Sequence, residues 1–320
     1  MDTTFSFRVS EKHLGMDLHT FLSAQFPFLN VLSWNDALVF PILVDNQPVN
    51  GNPELTPGTE LRIVVRDYQE EPVNLNWHIC WENDQLLVVN KPAQLPVHRT
   101  TRNIHNTLTA LIRRDSPWPD AQPLHRLDQE TAGLMVFAKN RHDAQLWQPR
   151  FQALLETKVY HAIVYGQPDW ADLTFSCRLN TRPDSAIRCK MYVVDENENG
   201  KLSTTRFRVL SSSGEYSAIE CELFTGRKHQ LRAQLAHLGH PIVGDKIYAH
   251  NGEFFLNRLD DNISEGDISR LQTPHHLLVA CQLGLTMGDT EKAKIELARS
   301  DFPDAWQSFV QEHNLWERNA

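Results

Sequence analysis

Apolar and polar positions divide the chain into a short first part and a long second one. "TFSFRVS" alternates and reads as a strand, and Leu18, Phe21, Leu22 and Phe26 then recur on one helical face. "ILVDNQPVNG" reads as a strand, a polar turn and a short strand, and "LTPGTELRIVV" as a proline–glycine turn entering a strand. In the longer part, "ICWENDQLLVVNKP" predicts strand, turn and strand. "NTLTALIRRD" predicts a helix capped at Asn106, with Leu108, Leu111 and Ile112 on its apolar face. "NRHDAQLWQPRFQALL" predicts a helix from Asn140 whose first section Pro149 kinks or ends. Strands are expected at "KVYHAIVYG", "TTRFRVLSS" and "YSAIECELF". "TGRKHQLRAQLAHLGHP" then turns at Thr225–Gly226 into a helix with Leu231, Leu235 and Leu238 on one stripe and Gly239 at its C-terminal cap. The polar, proline-containing "RDYQEEPVNLN" reads as a linker. The pattern predicts a small N-terminal α+β domain over residues 1–70. A second domain over residues 71–320 is built on a mixed sheet flanked by helices.

Composition narrows the class. At 320 residues with 41% hydrophobic side chains, two domains with sizeable cores are affordable. Apolar runs such as "LLVACQLGL" stop well short of membrane-spanning length, and the N-terminus shows no secretory signal. Cys80, Cys177, Cys189, Cys221 and Cys281 are scattered without a C-x-x-C pair, which disfavours a zinc site or disulfide framework and fits reduced thiols in the cytoplasm. A net charge of −9 argues against a polyanionic partner, but its distribution matters more than its sum. Up to Glu71 the basic residues are Arg8, Lys12, Arg62 and Arg66, whereas cations cluster later at "HRTTRNIH", "IRRD", "HRLD", "RPDSAIRCK" and "TGRKHQLR". Any contact with a polyanion falls to the second part.

The stretch "HRLDQETAGL" places a lone acid, Asp128, just before the apolar run "MVFAKN". One reading is a strand-entry loop with surface charges. The other is a catalytic carboxylate, which must stay ionised in a partly desolvated pocket and therefore needs a cation nearby. Arg126 stands two residues away, on the same side of an extended segment.

"HRLDQETAGLMVFAKN" resembles the aspartate motif of the RluA-type pseudouridine synthases, usually HRLDxxTSGL. "NDQLLVVNKPAQLPVH", "KVYHAIVYG" and "LFTGRKHQLRAQLAHLGHPIVGDKIY" resemble three further motifs of that family, in the same order, so the resemblance covers most of Trp77 to Tyr248. It implies a mixed, mainly antiparallel sheet flanked by helices. It also implies a cofactor-free and metal-free isomerisation of uridine in structured RNA, ribosomal or transfer, by a cytoplasmic monomer. The glycosidic bond is cleaved, the uracil turns, and its carbon 5 rejoins the ribose. Such chemistry needs the target base out of its stack.

By this resemblance Asp128 is the essential aspartate, acting on sugar or base, and Arg232 pairs with it. Tyr160 stacks on the base, Leu231 lines its pocket, and Arg126 contacts RNA beside the flipped nucleotide. Arg227, Lys228 and His229 near a helix N-terminus suit phosphate binding. Each residue also has an ordinary reading: a core tyrosine, a core leucine, a solvated helix arginine, a solvated turn. Three departures from the family pattern bear on substrate choice. Ala132 replaces a serine, Gln94 the glycine of NKPxG, and Val279 the histidine of R-x-x-LHA. The acidic segment from Ala249 to Thr273 looks inserted. The first part resembles a ribosomal-S-four-like RNA-binding domain, but "NVLSWNDALVF" is nearly uncharged where a basic surface is usual, so it reads as degenerate. A noncatalytic RNA-binding or chaperone protein is the alternative. A glycosidase would need two carboxylates flanking the bond, and the motifs offer one.

Overall fold

The computed structural model describes residues 3–25, 42–49, 51–65, 70–100, 102–260, 264–288 and 291–316. The uncharged stretch Asn30 to Phe40 lies outside them. The chain divides into two compact units, Met1–Pro72 with Arg99–Ile104, and Val73–His98 with His105–Ala320. The expected boundary fell between residues 70 and 71, with the loop 99–104 on the far side. That loop groups with the first unit because Arg102 is ion-paired to Glu71, Asn103 donates to the Glu71 carbonyl, and Ile104 joins the first unit's core.

In the first unit β1 (Thr3–Arg8), β2 (Ile42–Val44), β3 (Gln47–Pro48) and β4 (Glu60–Val65) form an antiparallel sheet in the order β1-β4-β2-β3. Helix α1 (Leu18–Gln25) packs Leu18, Phe21 and Leu22 into the same core as Phe5, Leu61 and Ile63. Asp45 and Asn46 both take left-handed backbone angles between β2 and β3, the geometry a tight two-residue hairpin demands.

The second unit is organised by β5 (His78–Glu82), β6 (Leu86–Lys91), β7 (Gln122–Pro123) and β8 (Ala132–Ala138), then β9 (Leu155–Tyr165), β10 (Asp172–Asn180) and β11 (Tyr192–Val194). The strands β12 (Lys201–Ser213), β13 (Tyr216–Leu223), β14 (Leu278–Met287) and β15 (Glu291–Glu296) complete it. Among the described residues they make an 11-stranded sheet whose main path runs β11-β10-β12-β13-β9-β14-β8-β6-β5. All pairs are antiparallel except β14 with β8. This is the expected mixed, mainly antiparallel α+β fold. Every residue of β8 is buried, so "AGLMVFA" shows no polar face. Leu134 and Val136 enter one core, Met135 and Phe137 the other, as a period of two dictates. Gly133, at φ +112, is required where β8 meets β14, because a Cβ there would fall 2.2 Å from the Ala280 carbonyl oxygen.

The helices correct one expectation in detail. Helix α2 (Leu108–Asp115) is capped by Thr107, whose hydroxyl accepts from the Ala110 amide, and not by Asn106. The threonine sits in the extended conformation a cap requires, directly before the first helical residue. Asn140 does cap α3 (Arg141–Trp147), and the chain breaks around Pro149 before the short α4 (Phe151–Leu154). Helix α5 (Gln230–His237) carries the "HQLR" motif. Helices α6 (Glu253–Asp260) and α7 (Glu265–Leu271) occupy the acidic segment, and α8 (Asp304–Glu312) buries Trp306 and Phe309 near the C-terminus. The pattern did not reveal β10, β14 or α8. In β10 the buried positions are only half covered, and in β14 a continuous apolar run conceals the period.

Candidate functional site

Asp128 ends the loop that feeds β8. Its carbonyl accepts from the Thr131 amide, so the chain turns through Gln129 and Glu130 and enters the sheet at Ala132. Neighbouring groups hold this turn firmly. The Lys91 ammonium donates to the carbonyls of Pro92, Leu95 and Gln129 at 2.8, 2.9 and 3.0 Å. Glu130 accepts from Lys246 at 2.6 Å, and Thr131 shares a 2.7 Å hydrogen bond with His276. Lys91 is completely buried, and burial pulls its ammonium down to about 7 against the attraction of Asp128 and Glu130.

The Asp128 carboxylate projects into a cleft of about 400 Å³ within the second unit. Its side chain keeps 26% of its accessible surface. Arg232, from α5, donates to its Oδ2 at 2.7 Å. The same guanidinium donates Nε and Nη2 to the two oxygens of Asp245 at 2.7 and 2.9 Å. Asp245 has no exposed side-chain surface and also accepts from the amides of Ile247 and Tyr248. The arginine is thus clamped on one edge by a buried carboxylate and offers the other to the cleft. A planar fork can do this and a point ammonium cannot. Burial raises the Asp128 pKa, but Arg232 first, then His229 and His276, outweigh it and hold the carboxyl at about 2. Asp128 is ionised at neutral pH.

The structure gathers every expected site residue around this cleft: Arg126, Asp128, Tyr160, Arg227, His229, Leu231 and Arg232. Their parts differ from the expectations in two respects. Arg126 is exposed and does not contribute to holding Asp128 ionised, contrary to what its adjacency suggested; the partner is Arg232, the arginine the family motif implied. His229 brings no positive charge to a phosphate. Burial and the adjacent Arg232 hold its imidazole at about 4, so it is neutral. It takes a left-handed backbone angle at the start of α5, shares a 3.1 Å hydrogen bond with the Tyr248 hydroxyl, and stands 3.8 Å from Asp128, too far for a hydrogen bond. Arg227 and Lys228 remain exposed beside it. Tyr160 sits on β9 and lines the cleft, and burial, reinforced by Asp128, pushes its phenol up, so it stays protonated.

The sequence pattern of a family described as RNA pseudouridylate synthase matches residues 85–237. An uncharacterized RNA pseudouridine synthase of Synechocystis is 30% identical over 261 residues, 78% of this chain and 79% of that protein. The chain belongs to the RluA-type RNA pseudouridine synthases. The dual-specificity RNA pseudouridine synthase RluA of Vibrio vulnificus is 35% identical over 58% of this chain and 75% of that protein. The ribosomal large subunit pseudouridine synthase D of Neisseria meningitidis is 34% identical over 65% of this chain, which spans only 57% of that relative. Among solved structures, human RNA pseudouridylate synthase domain containing 1 superposes with a TM-score of 0.55 at 25% identity, covering 76% of this chain and 97% of that one.

Within this family, two of the sequence departures belong together. Ala132 and Val279 are register partners in the parallel pairing of β8 and β14, so the serine and histidine of the usual pattern are replaced by an apolar pair. Both are buried in the core on the sheet face opposite Tyr160 and Leu231. The exchange of two polar groups for an apolar pair concerns packing in the core, not the cleft. The third departure, Gln94, holds a backbone φ of +63 on an exposed turn, the conformation for which glycine is the default. Gln94→Gly is therefore expected to raise stability by about 0.5–1 kcal/mol, the relieved strain less the extra chain entropy of glycine. The check is a higher urea midpoint at unchanged slope; an unchanged or lower midpoint would mean the turn carries no strain.

Sequence reasoning assigned no role to Asp245, Lys91 or Lys246, although all three lie in the quoted motifs. Asp245 follows the left-handed Gly244 in "PIVGDKIY", an acid directly behind a turn inside a family motif, which was the available signal.

Proposed function

We propose that the chain isomerises a specific uridine to pseudouridine in structured cytoplasmic RNA, with Asp128 as the catalytic residue. The observation that carries this reading is the Asp128–Arg232–Asp245 chain, which keeps one partly exposed carboxylate ionised in a nucleoside-sized cleft. Isomerisation breaks the bond from ribose carbon 1 to uracil N1 and forms one to carbon 5. The proton lost from carbon 5 balances the one gained at N1, so no external oxidant or reductant enters. An ionised carboxylate beside the bond can act on sugar or base. The protonated Tyr160 offers a ring face for the uracil, and Leu231 an apolar wall beside it. Arg126, exposed at the cleft, is placed to fill or brace the gap a flipped base leaves.

The relatives' names point to ribosomal RNA for one and to dual specificity for another, and ribosomal or transfer RNA is the substrate class proposed. The purified protein, given cellular RNA tritiated at uracil carbon 5, is expected to release label into water from one RNA species. Absence of release from every fraction would overturn the proposal.

A further inference from the structure

Lys158 lines the same cleft and takes no part in the network around Asp128. It precedes Tyr160 by two residues on β9, so both side chains stand on one face of the sheet. The residue is 8% exposed, yet among the described residues no carboxylate or carbonyl is paired with its ammonium. Burial lowers its pKa, and the charge that adds to this is the like charge of Arg227. His125, on the same cleft, is held neutral by burial and then by Lys158, so it does not offset that charge either. The backbone at Gly226 lies close: a Cβ there would be 3.2 Å from the Lys158 Nζ. The stem of Lys158 is buried while its ammonium opens on the cleft beside another cation, and with no counter-charge among the described residues that end of the cleft attracts an anion.

We infer that Lys158, together with Arg227, forms a phosphate subsite that holds a phosphodiester of the nucleotide being modified. The inference rests on the RNA reading, because a phosphodiester is the anion that RNA brings into such a cleft. The negative Asp128 repels a phosphate from its own end of the cleft, while Lys158 and Arg227 attract it. The nucleotide is thereby oriented with its sugar toward the carboxylate. The subsite makes the cleft selective for uridine within a strand over free uridine.

The test measures binding of a single-stranded uridine-containing oligoribonucleotide across a range of salt concentrations. Lys158→Gln is compared with the unsubstituted protein and with Lys294→Gln, which removes an exposed cation from β15. Loss of one phosphate contact on a single strand reduces the slope of log affinity against log salt by about 0.7, and loss of a charge-assisted hydrogen bond weakens binding roughly tenfold at low salt. Lys158→Gln is expected to show both effects, and Lys294→Gln neither. Weaker binding with an unchanged slope would assign Lys158 to the base or the fold and overturn the subsite. Unchanged binding would overturn it as well. Lys158→Arg, which retains the charge, is expected to keep the slope, and a slope lost in this variant too would equally count against a phosphate contact. Failure of the unsubstituted protein to bind any oligoribonucleotide is a different outcome; it would remove the RNA reading, and the subsite with it.

Discussion

Asp128→Asn is expected to abolish pseudouridine formation, lowering it by at least about a thousandfold, while the protein remains folded. Asparagine has the same shape, and its amide oxygen can still accept from the Arg232 Nη1 that now reaches Asp128 at 2.7 Å. Arg232 keeps both hydrogen bonds to Asp245, so no buried charge is stranded. What disappears is the anion that faces the cleft, and with it any nucleophilic or basic step. The two readouts are release of tritium from uracil carbon 5 and the urea midpoint. Release at the unsubstituted rate would remove Asp128 from the catalytic role. A collapse of the midpoint would show that the carboxylate serves the fold.

Arg232 is the second large effect, and the choice of substitution decides what is learned. Arg232→Met strands Asp245, which has no exposed side-chain surface, and breaking such a buried pair costs about 3–5 kcal/mol. Loss of activity there would be confounded with loss of fold. Arg232→Lys retains one charge but cannot donate to Asp245 twice and to Asp128 once in the same plane. It is expected to remain folded at reduced stability and to lose about a hundredfold in turnover through misplacement of the carboxylate. The pH dependence separates this from a general defect. Asp128 sits at about 2, below its ordinary value of 3.8, so its charge and the stability it contributes are present above that range and are lost only as pH falls through about 2. With the partner weakened, burial is no longer outweighed, the folded pKa rises, and the acid limb of the turnover profile moves upward. Activity in Arg232→Lys should therefore recover in part as pH rises. A profile parallel to that of the unsubstituted protein would reject the ion-pair role. The same sign holds for Asp245, held well below its ordinary value once Arg232 outweighs its burial, so the network contributes stability above the carboxylate range and loses it under acid.

Local pattern was enough for the elements whose periodicity is one-sided. The hairpin at Asp45–Asn46, the helix of "HQLR", the Asn140 cap and the break at Pro149 follow from propensity and capping chemistry that act within a few residues. The candidate site was legible as a set, since the motif order placed Asp128, Tyr160, Leu231 and Arg232 together before any contact was seen. Its wiring was not. Adjacency in sequence pointed to Arg126 and the family motif to Arg232, and the approach of β8 and α5 across 104 residues of chain decided for Arg232. His229 carries a cation's pattern in a basic run, but burial beside Arg232 makes it neutral. Ala132 and Val279 looked like two independent departures until the parallel pairing set them side by side. By itself, then, the sequence determined the family, the fold class and the residue types that must meet at the cleft, because these rest on short-range pattern and on chemistry that tolerates few substitutes. The tertiary structure alone decided charge state, pairing and access, because desolvation and Coulomb attraction depend on distance through space and on what has been removed from water.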